Sequence, residues 1–297
     1  MQTMASTSAK ATITASRPTC HYALGNTDAE HERLIRQAVR LAPLTERFFR
    51  EAGIGGGQRI LDLGSGVGDV AMLAARLVGS SGEVVGVERD TRSITRARAR
   101  VAEAGLHNVR FLHSDVDHVT SDKPFDAVVG RFILMYVPDP VAVLRSVSQV
   151  VRAGGFLAFQ EPTWAPSVAL AAHVPLWSAA LLVCRETFER SGANPELGLR
   201  LYKMFQKAGL PSPTMSLEVP LGSDRDFTRS VCDALCSLRP QIEQLNVAVD
   251  KLGDFHDLPL RLQSEVEGAG TVVGLPGIVG AWSRKPARGE VSVPGSD

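Results

Sequence analysis

The segment Ile60-Leu61-Asp62-Leu63-Gly64-Ser65-Gly66-Val67-Gly68 sets an acidic residue ahead of three alternating glycines. Glycines at that spacing let the backbone come close to a ligand, and a helix beginning just after them offers free N–H groups. Such a loop is weak on its own, because chance turns share its composition, so its context decides. An apolar run over 58–64 precedes it, and Val70, Leu73, Ala74, Leu77 and Val78 follow at helical spacing. Glu88 closes the next apolar run, EVVGVE, roughly 20 residues beyond Gly68. A carboxylate there can accept hydrogen bonds from both hydroxyls of a ribose, so the arrangement points to a nucleoside ligand.

Charge discriminates among nucleosides. The dinucleotide fingerprint G-x-G-x-x-G/A, counted from Gly64, requires Gly or Ala where this chain has Asp69. Carboxylates at Asp69 and Asp62 are poor neighbours for a pyrophosphate. S-adenosylmethionine (SAM) carries an ammonium and a sulfonium but no phosphate, and Asp62 at the strand end attracts both. Opposite charges gain, and like charges cost, on the order of kcal/mol at intermediate dielectric. SAM is therefore expected ahead of NAD. The rival readings are a nucleotide-dependent oxidoreductase with a Rossmann fold and a non-catalytic SAM-binding protein.

The surrounding chain alternates strand and helix signals, the mark of a doubly wound α/β fold with a mostly parallel sheet. Strands are expected over 58–64, 83–88, 109–114, 125–130 and 155–160, and helices over 68–78, 91–103 and 141–151, the last ended by a Gly154-Gly155 turn. Several strands are near-continuous apolar runs, as burial on both faces demands. After residue 161 the rhythm breaks. Segments 162–190, 197–207 and 224–267 read as helical, and 214–219 and 277–284 as strands. Because the sheet takes strands from both ends of the chain, residues 20–297 are expected to form one domain. Its parts are a helical cap over 20–57, a core over 58–161 and acceptor-side helices and last strands over 162–297. Residues 1–19 are expected to be a disordered tail.

The ordered series of motifs resembles class I SAM-dependent methyltransferases, over about 58–165 and more weakly down to Arg284. Asp62, Gly64, Gly66 and Gly68 match that family's D-x-G-x-G-x-G pattern, and Glu88 its acidic second-strand end. The resemblance assigns Asp115, with Val116 beside it, to the adenine amino group. It lays Arg131–Leu134 along the methionine part of SAM, and places the turn before the fifth strand at residues 152–155. Seven strands are implied, and the small-molecule subgroup that includes quinone-biosynthesis methyltransferases is the most similar. The strand-five wording departs from that subgroup, reading Gly155-Phe-Leu-Ala-Phe-Gln-Glu-Pro162, which leaves quinone specificity open. Upstream, Tyr22-Ala-Leu-Gly25 precedes an amphipathic helix starting at Asp28. In similar enzymes such a helix closes over the site and a tyrosine reaches the SAM carboxylate, a role that falls here on Tyr22.

Other residues carry two readings. Arg89 stacks near the adenosine or lies at the surface. Arg131 ends a buried strand at the carboxyl edge, where ligands of open α/β sheets bind. Phe132, Glu161 and His173 are candidates for lining the acceptor side, Glu161 being equally suited to a helix N-cap region. Histidines 21 and 173 could deprotonate a substrate but are more often structural. The stripe Arg92, Arg96, Arg100 reads as a solvated helix face. Cys184, Cys232 and Cys236 read as buried helix residues, with no second ligand pair to complete a metal site.

Composition agrees with an enzyme core. Hydrophobic residues make up 44% and charged residues 22%, which excludes a mostly disordered chain, while 32 basic residues against 32 acidic ones give nucleic acid no electrostatic footprint. Segment 162–184 lacks charge but is interrupted by Pro166, Pro175 and His173, so it is expected to cover a site rather than cross a membrane. A cytoplasmic location fits the few scattered cysteines, with a monomer or homodimer expected. The expected function is methyl transfer from SAM to an O, N or C nucleophile of a small, apolar or aromatic molecule. No general base is assigned.

Overall fold

The computed structural model describes residues 24–25 and 27–287; residues 1–19 and Tyr22, with the roles expected of them, lie outside the described residues. An N-terminal helix, α1 (Asp28–Ala52), leads into the alternating core: β1 (Arg59–Leu63), α2 (Asp69–Val78), β2 (Glu83–Glu88), α3 (Thr91–Glu103), β3 (Val109–His113), β4 (Phe125–Arg131), α4 (Pro140–Gln149) and β5 (Val151–Thr163). Three helices follow, α5 (Ala165–Leu170), α6 (Pro175–Arg190) and α7 (Leu201–Lys207), and then β6 (Thr214–Glu218) and β7 (Leu221–Gly222). The chain finishes with α8 (Arg225–Gln244), α9 (Leu258–Ala269), β8 (Val273–Gly274) and β9 (Gly277–Arg284).

Seven strands make one sheet in the order β3-β2-β1-β4-β5-β9-β6. The first five are parallel, and β9 runs antiparallel between β5 and β6. Alternation along β1 splits the core. Ile60 packs with Phe48, Phe49 and Val70 on one face, while Leu61 and Leu63 join the cluster of Leu144, Trp177 and Leu181 on the other. Strand order reverses between β1 and β4, and ligands of open α/β sheets bind at such a switch point, outside the carboxyl ends of the strands.

One sequence expectation changes, and one element is new. The glycine pair 154–155 is not a turn preceding the fifth strand; it lies inside β5, where the register against β4 shifts and Gly154 has φ +72°. The ribbon of β7 with β8 carried no sequence signal, its strands being two residues each.

α1 is fixed to the core at both ends. Thr27 caps it, accepting from Glu30 N–H at 3.2 Å, and Gly53 closes it in the left-handed region. Arg92 and Arg96 of α3 reach Asp28 and Glu32 of α1 at 3.1 and 2.9 Å, and His31 Nε2 lies 3.2 Å from Ser93 Oγ. Two of the three stripe arginines of α3, Arg92 and Arg96, thus dock α1, and the face is not simply a solvated one.

Candidate active site

The three loop glycines do three different things. At Gly64, φ is +68° and a Cβ would run into the Ile133 side chain, so this glycine admits the segment that follows β4. Gly68 caps α2 in the left-handed region, and a Cβ there would meet Phe111 and Ala97 at 3.1 and 3.2 Å. Gly66 has φ +51°, yet a Cβ there would meet nothing within 4 Å. Its empty side faces the cavity described below, which is the space a ligand needs.

Asp62 lies directly beneath this loop, 1% exposed. Burial pushes its carboxyl up to about 7, against the opposing pull of the Arg131 guanidinium and a hydrogen bond from the Ala71 backbone. Its Oδ2 and the Ser65 Oγ are buried and have no hydrogen-bond partner among the described residues. Unpaired buried oxygens cost about 1–3 kcal/mol each, and two at one loop mark a place where polar groups of a ligand belong.

Asp69 differs from the sequence expectation. Its carboxylate pairs with Arg100 at 2.7 Å, both side chains 15% exposed, and Arg100 also donates to the Val67 carbonyl at 2.7 Å. The Asp69 charge is therefore offset by Arg100. At the end of β2, Glu88 Oε2 accepts from Gly66 N–H, and Oε1 from the N–H groups of Arg89 and Asp90, all at 2.9 Å. These bonds set the carboxylate beside the open face of Gly66.

After β4 the chain is held from two sides. Arg131 donates to Thr45 Oγ1 of α1 at 2.9 Å, and that hydroxyl donates to Gln160 Oε1 at 2.8 Å. Phe132 occupies φ +55°, a region that costs a non-glycine residue on the order of 1–3 kcal/mol. Glu161, fully buried, accepts from Ile133 and Leu134 N–H at 3.0 and 2.8 Å through Oε1, and from Met135 N–H at 3.2 Å through Oε2. Burial pushes its carboxyl up to about 8, although those three N–H groups favour the anion.

A cavity of about 730 Å³ opens over the glycine loop. At one end it is lined by Gly64, Ser65, Gly66, Glu88 and Arg89, together with Asp115, Val116, Arg131 and Phe132. The remaining walls combine apolar and aromatic residues, including Leu24, Leu41, Met135, Trp164 and Phe188, with charged ones from α1 and α8 such as Arg40, Arg229 and Asp233. Segment 162–184 supplies Pro162, Trp164 and Cys184 to these walls, and α8 supplies Val231 and Ala234.

Three candidates lie elsewhere. Asp62 lies under the loop instead of at the cavity surface. Glu161 stands behind the wall, because its oxygens turn toward the backbone of 133–135. His173 is exposed beside Thr271, its Nε2 3.2 Å from Oγ1, away from the cavity, so it is corrected from acceptor-lining residue to surface residue. Cys184 and Cys232 are buried, but Cys236 is exposed, one turn beyond Cys232 on the outward side of α8. Thr45, Gln160 and Trp164 went unnoticed in the sequence. A lone threonine on a buried helix face and a Gln-Glu pair ending an apolar strand were the available signals.

Fold and site together define a class I methyltransferase architecture: five parallel strands, an antiparallel insertion, and a glycine loop followed by an acidic strand end. A family model described as a methyltransferase domain matches residues 54–209, and the chain belongs to that family. The ubiquinone/menaquinone biosynthesis C-methyltransferase UbiE of Coxiella burnetii is 37% identical over 115 residues, covering 37% of this chain and 46% of that protein. The aklanonic acid methyltransferase DauC of Streptomyces sp. is 34% identical over 111 residues, covering 36% and 50%. This chain thus matches about half the length of these relatives. A Bacillus halodurans protein assigned to the methyltransferases superposes with a TM-score of 0.54 at 18% identity, covering 81% of this chain and 98% of that one, which shows the shared fold.

Proposed function

We propose that this chain transfers a methyl group from SAM to an O, N or C nucleophile of a small, apolar or aromatic molecule. The observation that carries this reading is the pair of orphaned oxygens, Asp62 Oδ2 and Ser65 Oγ, at a glycine loop whose open side faces a cavity with apolar and aromatic walls among charged residues. The Asp62 carboxyl favours a nearby cation, which the ammonium end of SAM supplies and a pyrophosphate does not.

In this reading Asp62 attracts the ammonium from beneath the loop, and Arg131 donates to the carboxylate of the amino-acid end. Glu88 takes the ribose hydroxyls, Asp115 the adenine amino group, and Val116 and Arg89 flank the base. The sulfonium supplies an electrophilic methyl. What remains for the protein is alignment and exclusion of water, and positioning of reactants can supply roughly 7–11 kcal/mol of barrier lowering. Phe132, Met135, Trp164 and Phe188 give the acceptor flat apolar walls. The two relatives named above are methyltransferases of quinone biosynthesis and of aklanonic acid, and ring-bearing acceptors suit those walls. The cap helix, the core and the later helices act as one unit, because the cavity draws walls from all three. No helix among the described residues is long and apolar enough to cross a membrane.

The test is incubation of the purified protein with methyl-labelled SAM and a panel of phenols, quinols and aromatic carbon acids. Label in an acceptor supports the reading. Binding of the product S-adenosylhomocysteine (SAH) with no label transferred to any acceptor would favour a non-catalytic SAM-binding role.

A further inference from the structure

We propose that Thr45, Gln160 and Glu161 are positioning residues that fix the post-β4 segment 131–135 against the donor site from opposite faces of the sheet. The inference rests on the donor reading above and concerns side chains that do not touch the donor themselves.

Adjacent residues of a strand point to opposite faces, so Gln160 and Glu161 can grip one neighbouring segment from both sides. The β4–β5 register sets Arg131 opposite Gln160, and the Gln160 carbonyl accepts from Phe132 N–H at 2.8 Å. On one face Gln160 Oε1, 2.8 Å from Thr45 Oγ1, receives that hydroxyl's proton. The Thr45 oxygen is thereby turned to accept from Arg131 Nη1 at 2.9 Å. Gln160 and Thr45 are 2% and 0% exposed, and a hydrogen bond in such surroundings is electrostatically stronger than in water. The direction of donation is fixed: guanidinium to hydroxyl to amide oxygen.

On the other face Glu161 meets three successive N–H groups, those of Ile133, Leu134 and Met135. The short helical turn Leu134–Tyr136 starts there, and its leading N–H groups have no partner within the turn. Two carboxylate oxygens satisfy all three. A glutamine would have to turn its NH2 toward one of those N–H groups, a donor against a donor. Held on both faces, the chain carries Phe132 through φ +55° and seats Ile133 on Gly64. Arg131 orients toward the amino-acid end of the donor, and Phe132 and Met135 form part of the acceptor wall.

The experiment measures binding of two probes by calorimetry in the full chain. SAH carries the amino-acid end, and 5′-methylthioadenosine has the same nucleoside without it. Thr45→Val keeps shape and loses the hydroxyl, while Thr45→Ser restores it. The expected result is that Thr45→Val weakens SAH about tenfold, leaves 5′-methylthioadenosine unchanged, and is rescued by Thr45→Ser. Glu161→Gln should weaken SAH at least as far; should that variant fail to fold, Thr45→Val decides. Equal loss for both probes, or none for SAH, overturns the positioning role. Wild-type protein that binds neither probe overturns the donor reading as well, and is told apart by that result.

Discussion

Arg100 grips Asp69 at 2.7 Å and the Val67 carbonyl at the same distance, tying α3 to the last turn of the glycine loop. The guanidinium neutralises the acid that opens α2 and braces the loop from behind. Arg100→Met strands a mostly buried carboxylate and an unpaired carbonyl. It should cost about 1–3 kcal/mol of stability, less than a fully buried pair because both groups retain some exposure. Chemical denaturation measures this, and an unchanged midpoint would mean that the pair is dispensable.

Gly64 and Gly66 should separate folding from binding. Alanine at Gly66 meets open space and pays only for its φ of +51°, on the order of 1–2 kcal/mol. Gly66→Ala should therefore fold and lose most SAH affinity, since its methyl enters the ligand's space. Gly64→Ala collides with Ile133 as well, and should lower the melting temperature further. A Gly66→Ala protein that binds SAH normally would remove the loop from the site.

Glu88→Ala removes a carboxylate assigned to two ribose hydroxyls. Charge-assisted hydrogen bonds of this kind are worth about 1.5–3 kcal/mol, or at least tenfold in affinity. Its loss also frees the N–H groups of Gly66, Arg89 and Asp90, so stability should drop modestly. Asp115→Ala, which gives up a single amino contact, should weaken SAH less. The reverse order of effects in calorimetry would contradict the assignment of ribose to Glu88.

One buried carboxyl makes stability depend on pH in a stated direction. Asp62 is raised from 3.8 to about 7. Between those limits the native protein keeps a proton that the unfolded chain has released, so the unfolded state binds fewer protons and stability falls as pH rises. The decline should run from about pH 4 to about pH 7 and then level off, as far as this group contributes. Denaturation midpoints across that range should flatten in Asp62→Asn. A wild-type slope no steeper than that of this variant would mean the carboxyl is ionised in the native state.

Much of this was legible in the sequence. Glycine spacing, the acid at Glu88 and the apolar runs placed the loop, the second strand and the last strand β9, because local pattern alone defines them. Partners across the fold were not legible. Arg100 reads as one member of a solvated stripe until α1 and the glycine loop are seen against α3. Gln160 and Glu161 read as a polar strand end, since their role depends on the β4–β5 register and on a chain that turns back beneath them. His173 sits in a charge-free stretch that promises burial, yet periodicity does not say which way one imidazole points.

The central claim, a donor site built on Asp62, the glycine loop and Glu88, is tested most directly by calorimetric titration of the wild-type protein with SAH and, separately, with NADH. Saturable binding of SAH and none of NADH at the same concentrations is expected. Binding of NADH as tight as that of SAH, or tighter, would contradict it.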